Sequence, residues 1–208
     1  HDNIMLLDIG AGNTDIGVFE GTTFLYTNSI PLGGDNITND IALVLNISEE
    51  EADKLKRQYG LALKSFIDND NDIILNTCKD NNKNKIIKSS ELIEIIEARI
   101  EEMFSIINKD ITNQGLKQKI NNVVLTGQGI VNINKSDVAG KINLNIPVKI
   151  STGRAISTVK PIYRTSYALV RYIAARPFAK TVSSSIDTQN NESFMKNIWE
   201  RIKEFFYS

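Results

Sequence analysis

The sequence predicts an α/β fold, and three stretches carry that prediction. In the first, an apolar run over 4–7 ends on Asp8, passes through Gly10 and Gly12, and resumes as a period-2 pattern at Ile16 and Val18. That is strand, tight turn, strand. In the second, Leu92, Ile93, Ile96, Ile100, Met103, Phe104, Ile107 and Ile111 recur with the 3.6-residue rhythm of a long helix that buries one stripe. The third is Val123-Val124-Leu125, a buried strand that runs into a second glycine turn, Thr126-Gly127-Gln128-Gly129. Ligands of α/β sheets bind beyond the strand ends, so the two turns are expected to face one crevice.

Composition narrows the field further. At 208 residues, 41% hydrophobic and 24% charged, the chain has enough apolar side chains for one sizeable core or two small domains. A net charge of −1 and a pI near 6.0 provide no overall basic footprint, so nucleic acid is not an expected partner. The lone cysteine, Cys78, has no internal partner for a disulfide, which suits a reducing compartment. The lone histidine is His1, at a terminus, which argues against a Ser/His/Asp triad or a histidine-rich metal site. The chain opens without a methionine or a signal peptide and reads as a piece of something longer. No apolar run approaches the roughly 20 residues that a membrane-spanning helix requires.

The elements follow in order. Around the first turn, converging backbone N–H groups suit an anion, Thr14 adds a hydroxyl, and Asp8 is placed to hold a magnesium ion or its waters. The alternative there is an ordinary hairpin with a glycine turn. Gly21 marks a second turn before a strand over 22–30, completing an antiparallel meander. Pro31-Leu32-Gly33-Gly34 breaks it, and Asp35 or Asn36 is expected to cap a helix sending Ile37, Ile41, Leu43, Val44 and Leu45 to the core. Ser48-Glu49-Glu50-Glu51 is a capping box opening a second helix that stops at Gly60, with Asp53, Lys56 and Arg57 on its polar face. An asparagine-rich region follows, with short strands at 73–75 and 86–87, before Ser89 or Ser90 caps the long helix. A short strand over 147–150 and an apolar helix over 167–175 come after the second glycine turn.

Residues 179–193 are mostly Ser, Thr, Asn, Gln and Asp with few apolar residues, and read as a flexible linker. Beyond it, 194–208 wind at about 100° per residue into a helix with Phe194, Ile198, Trp199, Ile202, Phe205 and Phe206 on one face and Lys196, Arg201 and Lys203 on the other. Aromatic groups opposite basic ones suit a helix lying in a membrane interface against anionic headgroups. The alternative is a terminal helix docked on its own domain.

Together these motifs carry a family resemblance. The series Asp8-Ile9-Gly10-Ala11-Gly12-Asn13-Thr14-Asp15, Ile30-Pro31-Leu32-Gly33-Gly34-Asp35-Asn36-Ile37-Thr38-Asn39-Asp40-Ile41-Ala42, Glu94-Ile95-Ile96-Glu97-Ala98-Arg99-Ile100-Glu101-Glu102 and Val124-Leu125-Thr126-Gly127-Gln128-Gly129, closed by the amphipathic tail, resembles the C-terminal half of the bacterial cell-division family FtsA. The resemblance implies an actin-like, ribonuclease H-like larger subdomain over 1–32 and 101–178, an inserted smaller α/β subdomain over 33–100, and the C-terminal amphipathic helix over 194–208.

It also implies roles. Asp8, Gly10, Gly12, Asn13 and Thr14 fall in the loop that cradles the phosphates of ATP, with Asp8 reaching magnesium through water. Asp53, Lys56 and Arg57 match the helix that contacts ribose and base, and Thr126, Gly127, Gln128 and Gly129 the adenosine turn, where Gln128 replaces a usual glycine. Arg99 lies where the family has an arginine meeting the C-terminal peptide of FtsZ. The implied protein polymerises, sits on the inner face of the cytoplasmic membrane at the division site and tethers FtsZ filaments there. It acts by binding, since the first phosphate loop belongs to an N-terminal half. A pilus scaffold similar to PilM and an ATPase of the Hsp70 or sugar-kinase type share the glycine signals. The former lacks such a tail, and the latter calls for a substrate or peptide site with no counterpart in these residues.

Overall fold

The computed structural model describes residues 3–75, 85–151 and 164–174. The chain divides into two units, His1–Thr152 and Gly153–Ser208. The first holds strands β1 (Asn3–Ile9), β2 (Thr14–Glu20) and β3 (Thr23–Ile30), helices α1 (Gly34–Leu45) and α2 (Glu49–Tyr59), and the hairpin β4 (Asp72–Leu75) and β5 (Lys85–Lys88). Helix α3 (Ser89–Asn113), strand β6 (Asn122–Thr126), helix α4 (Ser136–Leu144) and strand β7 (Val148–Ile150) complete it. From the second unit, helix α5 (Arg164–Ala174) is described, in keeping with the apolar helix expected there. The linker over 179–193 and the amphipathic segment over 194–208 lie outside the described residues.

The main sheet has the order β3-β2-β1-β6-β7. The first three strands form the antiparallel meander expected from the period-2 pattern, and β6 and β7 join parallel to β1. Chain direction therefore changes character at β1, whose C-terminal end lies beside that of β6. Met5, Leu7 and Ile9 of β1 and Val123 and Leu125 of β6 are completely buried on one face. Every member of the α3 stripe from Leu92 to Ile111 is buried as well. A fully buried aliphatic or aromatic side chain contributes roughly 1.5–3 kcal/mol, so this stripe anchors the unit. Near its C-terminal end Asp110 accepts hydrogen bonds from the Tyr26 hydroxyl and the Asn28 amide, fixing α3 to β3.

Three local expectations need correction, and one helix was not expected. Helix α1 is capped by Gly33, and Asn36 acts in reverse, its Oδ1 accepting from the Gly33 N–H at 2.8 Å. Leu43 and Val44 are 68% and 63% exposed, because the buried stripe of α1 is made by Gly34, Ile37, Thr38, Ile41, Ala42 and Leu45. At the start of α3 the capping oxygens come from a distant residue. The Asp70 carboxylate accepts from the Ser90 N–H at 2.9 Å and from the Ser89 and Ser90 hydroxyls at 3.1 and 3.0 Å. Finally, α4 has no counterpart in the sequence reading. Its first cap, Lys135, is left-handed at φ +63°, and Gly140 breaks the pattern at a point where a Cβ would come within 3.0 Å of Phe104.

Candidate functional site

Along β1, Ile4, Leu6 and Asp8 alternate with the buried residues, so Asp8, next to the last residue of the strand, lies on the opposite face from Met5, Leu7 and Ile9. Across the parallel pair its register partner is Thr126. Both glycine turns leave the sheet at this one end. The Gly129 N–H donates to Ile9 O at 2.9 Å, and a Cβ on Gly129 would stand 2.0 Å from Gly10 O. Gly127 has φ +94°, and a Cβ there would meet Ile9 O at 2.2 Å and Asp8 Oδ1 at 2.6 Å. These two positions admit glycine alone, and backbone lies directly on backbone.

The N-terminus of α1 closes on the same turn. Its first amides, Gly34 and Asp35, have no partner within the helix and donate instead to Gly10 O at 3.0 Å and Ala11 O at 2.8 Å. Gly33 would place a Cβ 2.3 Å from Ala11 O. The loop over 10–13 is closed by Gly10 N–H to Asn13 O at 2.8 Å. Its glycines act differently from the expectation that they free the chain to turn. Neither Gly10 nor Gly12 has a positive φ, and a Cβ on Gly12 would meet nothing within 4 Å. The empty space beside Gly12 is room for something other than protein. Thr14, expected to offer a hydroxyl to that space, is 1% exposed and donates it to Leu32 O at 2.7 Å.

Asp8 is half-buried, and its carboxyl is held above the usual carboxylate range, first by burial and then by the nearby charge of Asp15. No cation among the described residues pairs with it. A divalent ion held through water would relieve that unbalanced charge.

Facing the loop and the second turn is α2. A cleft of about 130 Å³ is lined by Ala11, Gly34, Asp35, Asp53, Lys56, Arg57, Gln128, Gly129, Asn132 and Ile133. It thus joins the α2 trio to the Gln128–Gly129 turn and the edge of the loop. Asp53 is bridged by Lys56 at 3.0 Å and Arg57 at 2.6 Å. Burial alone would raise the Asp53 carboxyl, but the hydrogen bonds from these two cations outweigh it and hold the group below its ordinary value. Gly34 and Asn132 were not foreseen here. The double glycine at Gly33–Gly34 was a usable signal, since adjacent glycines mark close backbone approach, whereas nothing in the sequence singles out Asn132.

Arg99 lies elsewhere, on α3. It is bidentate with Asp40 of α1, with Nη2 to Oδ1 at 2.8 Å, and its Nη1 reaches Glu102 at 2.5 Å. Together they line an open groove of about 620 Å³ between α1 and α3, with Leu43, Val44 and Ile95 as its apolar floor and Glu91 and Glu94 beside them. The residues expected to meet a membrane, Phe194, Ile198, Trp199, Ile202, Phe205 and Phe206, lie outside the described residues.

Comparison with known proteins places this chain in a family. The family model for the cell division protein FtsA matches residues 5–198. The cell division protein FtsA of Bacillus subtilis is 32% identical over 169 residues, covering 81% of this chain and 38% of that protein. That of Buchnera aphidicola is 32% identical over 205 residues, covering 93% of this chain and 48% of that one. The chain therefore spans about half or less of the length of these relatives. Among solved structures, MreB5 of Spiroplasma citri, determined with ADP bound, superposes with a TM-score of 0.64 at 16% identity over 84% of this chain and 56% of its own, which establishes a shared actin-like fold. On the family match and the fold together, the chain belongs to the FtsA family of cell-division proteins.

Proposed function

We propose that this chain is one half of an actin-like nucleotide site, and that the whole protein binds ATP with magnesium, polymerises, and tethers FtsZ filaments to the inner face of the cytoplasmic membrane. The observation that carries the nucleotide reading is the meeting of two glycine turns at the end of β1, with Asp8 between them and open space at Gly12. The ADP bound to MreB5 supports it. Backbone N–H groups of Ala11, Gly12 and Asn13 would face phosphate, Asp8 would hold the magnesium through water, and Asp53, Arg57, Thr126 and Gln128 would flank the adenosine. Bound magnesium supplies positive charge against the phosphates.

The cleft is smaller than the roughly 300–1,000 Å³ of complete ligand pockets, as half a site should be. Phosphoryl transfer requires positioning from both sides of the phosphate, so the chain by itself acts by binding. ATP would favour whichever closed arrangement of the two halves it contacts best. The FtsZ C-terminal peptide would lie in the α1–α3 groove, with Leu43 and Val44 taking its apolar side chains and Arg99 exchanging Asp40 for a carboxylate of the peptide. Phe194, Ile198, Trp199, Ile202, Phe205 and Phe206 would rest in an anionic membrane surface, and a weak single helix would gain firm attachment from many copies in a polymer.

An NMR titration with ATP and magnesium suits the weak affinity of half a site. The reading expects amide shifts concentrated at 11–13 and 126–132, reduced in Asp8→Asn. Shifts scattered elsewhere, or none up to about 10 mM ligand, would overturn it. Flotation with anionic vesicles, with and without residues 194–208, tests the tether separately.

A further inference from the structure

Helix α2 presents two adjacent cations to the cleft, and their surroundings differ. The Lys56 side chain is 12% exposed and that of Arg57 73%. Lys56 Nζ donates to Gly34 O at 3.0 Å and to Thr38 Oγ1 at 2.6 Å, and pairs with Asp53 Oδ1 at 3.0 Å. An ammonium has three N–H groups, and three acceptors surround this one. Arg57 gives its Nε to Asp53 Oδ2, and its guanidinium has four more N–H groups at an exposed position.

Gly34 is the node of this arrangement. Its carbonyl accepts from Lys56 of α2, while its N–H donates to Gly10 O of the loop after β1. Asp35 adds a second bond, to Ala11 O. A buried charge therefore grips the first turn of α1, and that turn grips the loop. We propose that Lys56 is a positioning residue that holds the start of α1 against the loop over 10–13, in place of the ribose and base contact that the resemblance implies for it, while Arg57 keeps its ligand-facing role. The assignment of Lys56 stands on these contacts alone, whereas that of Arg57 rests on the nucleotide reading.

Amide hydrogen exchange of the full chain separates the two. The Gly34 and Asp35 N–H groups report the grip on the loop, while Ile100 in the α3 core and Leu125 in β6 report global opening. In Lys56→Met, exchange at Gly34 and Asp35 should quicken about tenfold or more, as loss of a charge-assisted hydrogen bond implies, with Ile100 and Leu125 unchanged. Thr38→Val, which keeps the packing but removes one acceptor of the ammonium together with the Thr38 hydroxyl's own bond to Gly34 O at 3.2 Å, should show a smaller change at the same two amides. Unchanged exchange at Gly34 and Asp35, or equal acceleration at all four positions, would overturn the positioning role. In titrations with adenosine and with ATP, Arg57→Ala should weaken both about equally, and Lys56→Met should weaken ATP more than adenosine. Were Arg57→Ala silent and Lys56→Met equally damaging to both, the assignments would be reversed. If wild-type chain takes up neither compound, the nucleotide reading and the Arg57 role fall, and the exchange data alone decide for Lys56.

Discussion

The two ends of helix α1 are built on opposite principles. At its N-terminus Gly33 and Gly34 lie against the backbone of Ala11 and Gly129, so closely that added Cβ atoms would stand 2.3 and 2.7 Å from their neighbours. At its C-terminus Leu43 and Val44 are 68% and 63% exposed beside the Arg99–Asp40 pair. The first end has no room for side chains, so what it presents to a ligand is peptide N–H and carbonyl groups held in one arrangement. At the second end the fold asks little of Leu43 and Val44, so any partner that met them would be recognised through their identity. One end should therefore be intolerant of a single methyl group and the other tolerant of whole side chains.

The largest expected effect tests the first half of that contrast. Gly129→Ala places a methyl 2.0 Å from Gly10 O, a backbone atom already held by the Gly34 N–H at 3.0 Å, so relief requires the two turns to separate. We expect a loss of about 3–5 kcal/mol in denaturant unfolding, the range of the most damaging single substitutions. The neighbouring control is Gly12→Ala, where a methyl meets nothing, and stability should change by no more than about 1 kcal/mol, in the favourable direction. A similar loss in both variants would show that the glycines are required for some reason other than space.

Next in size is the ion pair at the far end. Arg99 and Asp40 have side chains 23% and 21% exposed and share two hydrogen bonds, so removing either partner leaves a partly desolvated charge. Arg99→Ala should cost about 1–2 kcal/mol. A double-mutant cycle with Asp40→Ala should recover much of that as coupling energy. Independent, additive effects would mean that the pair does not fasten α1 to α3 and that Arg99 is already free for a partner.

What the sequence made legible divides along the same line. Features written in local period, capping or turn chemistry could be read in advance: the stripe on α3, the Ser48 cap of α2, whose hydroxyl accepts from Glu51 N–H at 3.2 Å, and the glycine turn at Gly127–Gly129. Features settled by contacts distant in sequence could not be read. Asp70 caps a helix some twenty residues ahead, Leu32 takes the Thr14 hydroxyl, and Gly34 takes the Lys56 ammonium. Each of those three side chains looks, in the sequence, like an available polar group. Leu43 and Val44 misled for a related reason, since an apolar residue next to a buried stripe is indistinguishable from a member of it until the partner helix is in place.

Smaller again is the effect of changing those two leucine and valine side chains. Leu43→Ser with Val44→Ser should move stability by no more than about 0.5 kcal/mol, because so little of either side chain leaves water on folding. Binding of an FtsZ C-terminal peptide, read by fluorescence anisotropy, should fall at least tenfold in the same variant if the groove is its seat. A stability loss comparable to that of a core residue would place these side chains under cover that the described residues do not provide.

The smallest expected effect has the opposite sign. Asp8 has its carboxyl raised by burial and by Asp15, so the folded chain holds that proton to higher pH than the unfolded chain does. Stability contributed by the protonated form is present below the ordinary carboxylate range and is lost as pH rises through the raised value. At neutral pH the ionised Asp8 is thus a net cost to the fold. Asp8→Asn, which keeps shape and removes charge, should stabilise the chain by a few tenths of a kcal/mol once solvent screening of a half-exposed group is allowed for. The gain should fade as the pH is lowered below that range, where wild-type Asp8 is itself neutral. The same variant should bind ATP with magnesium less well, so that stability and binding move in opposite directions, as they do where a charge is kept for a ligand and not for the fold. If Asp8→Asn were less stable than wild type at neutral pH, the carboxylate would have a stabilising partner in the folded chain, and its place as the unpaired group between the two turns would be lost.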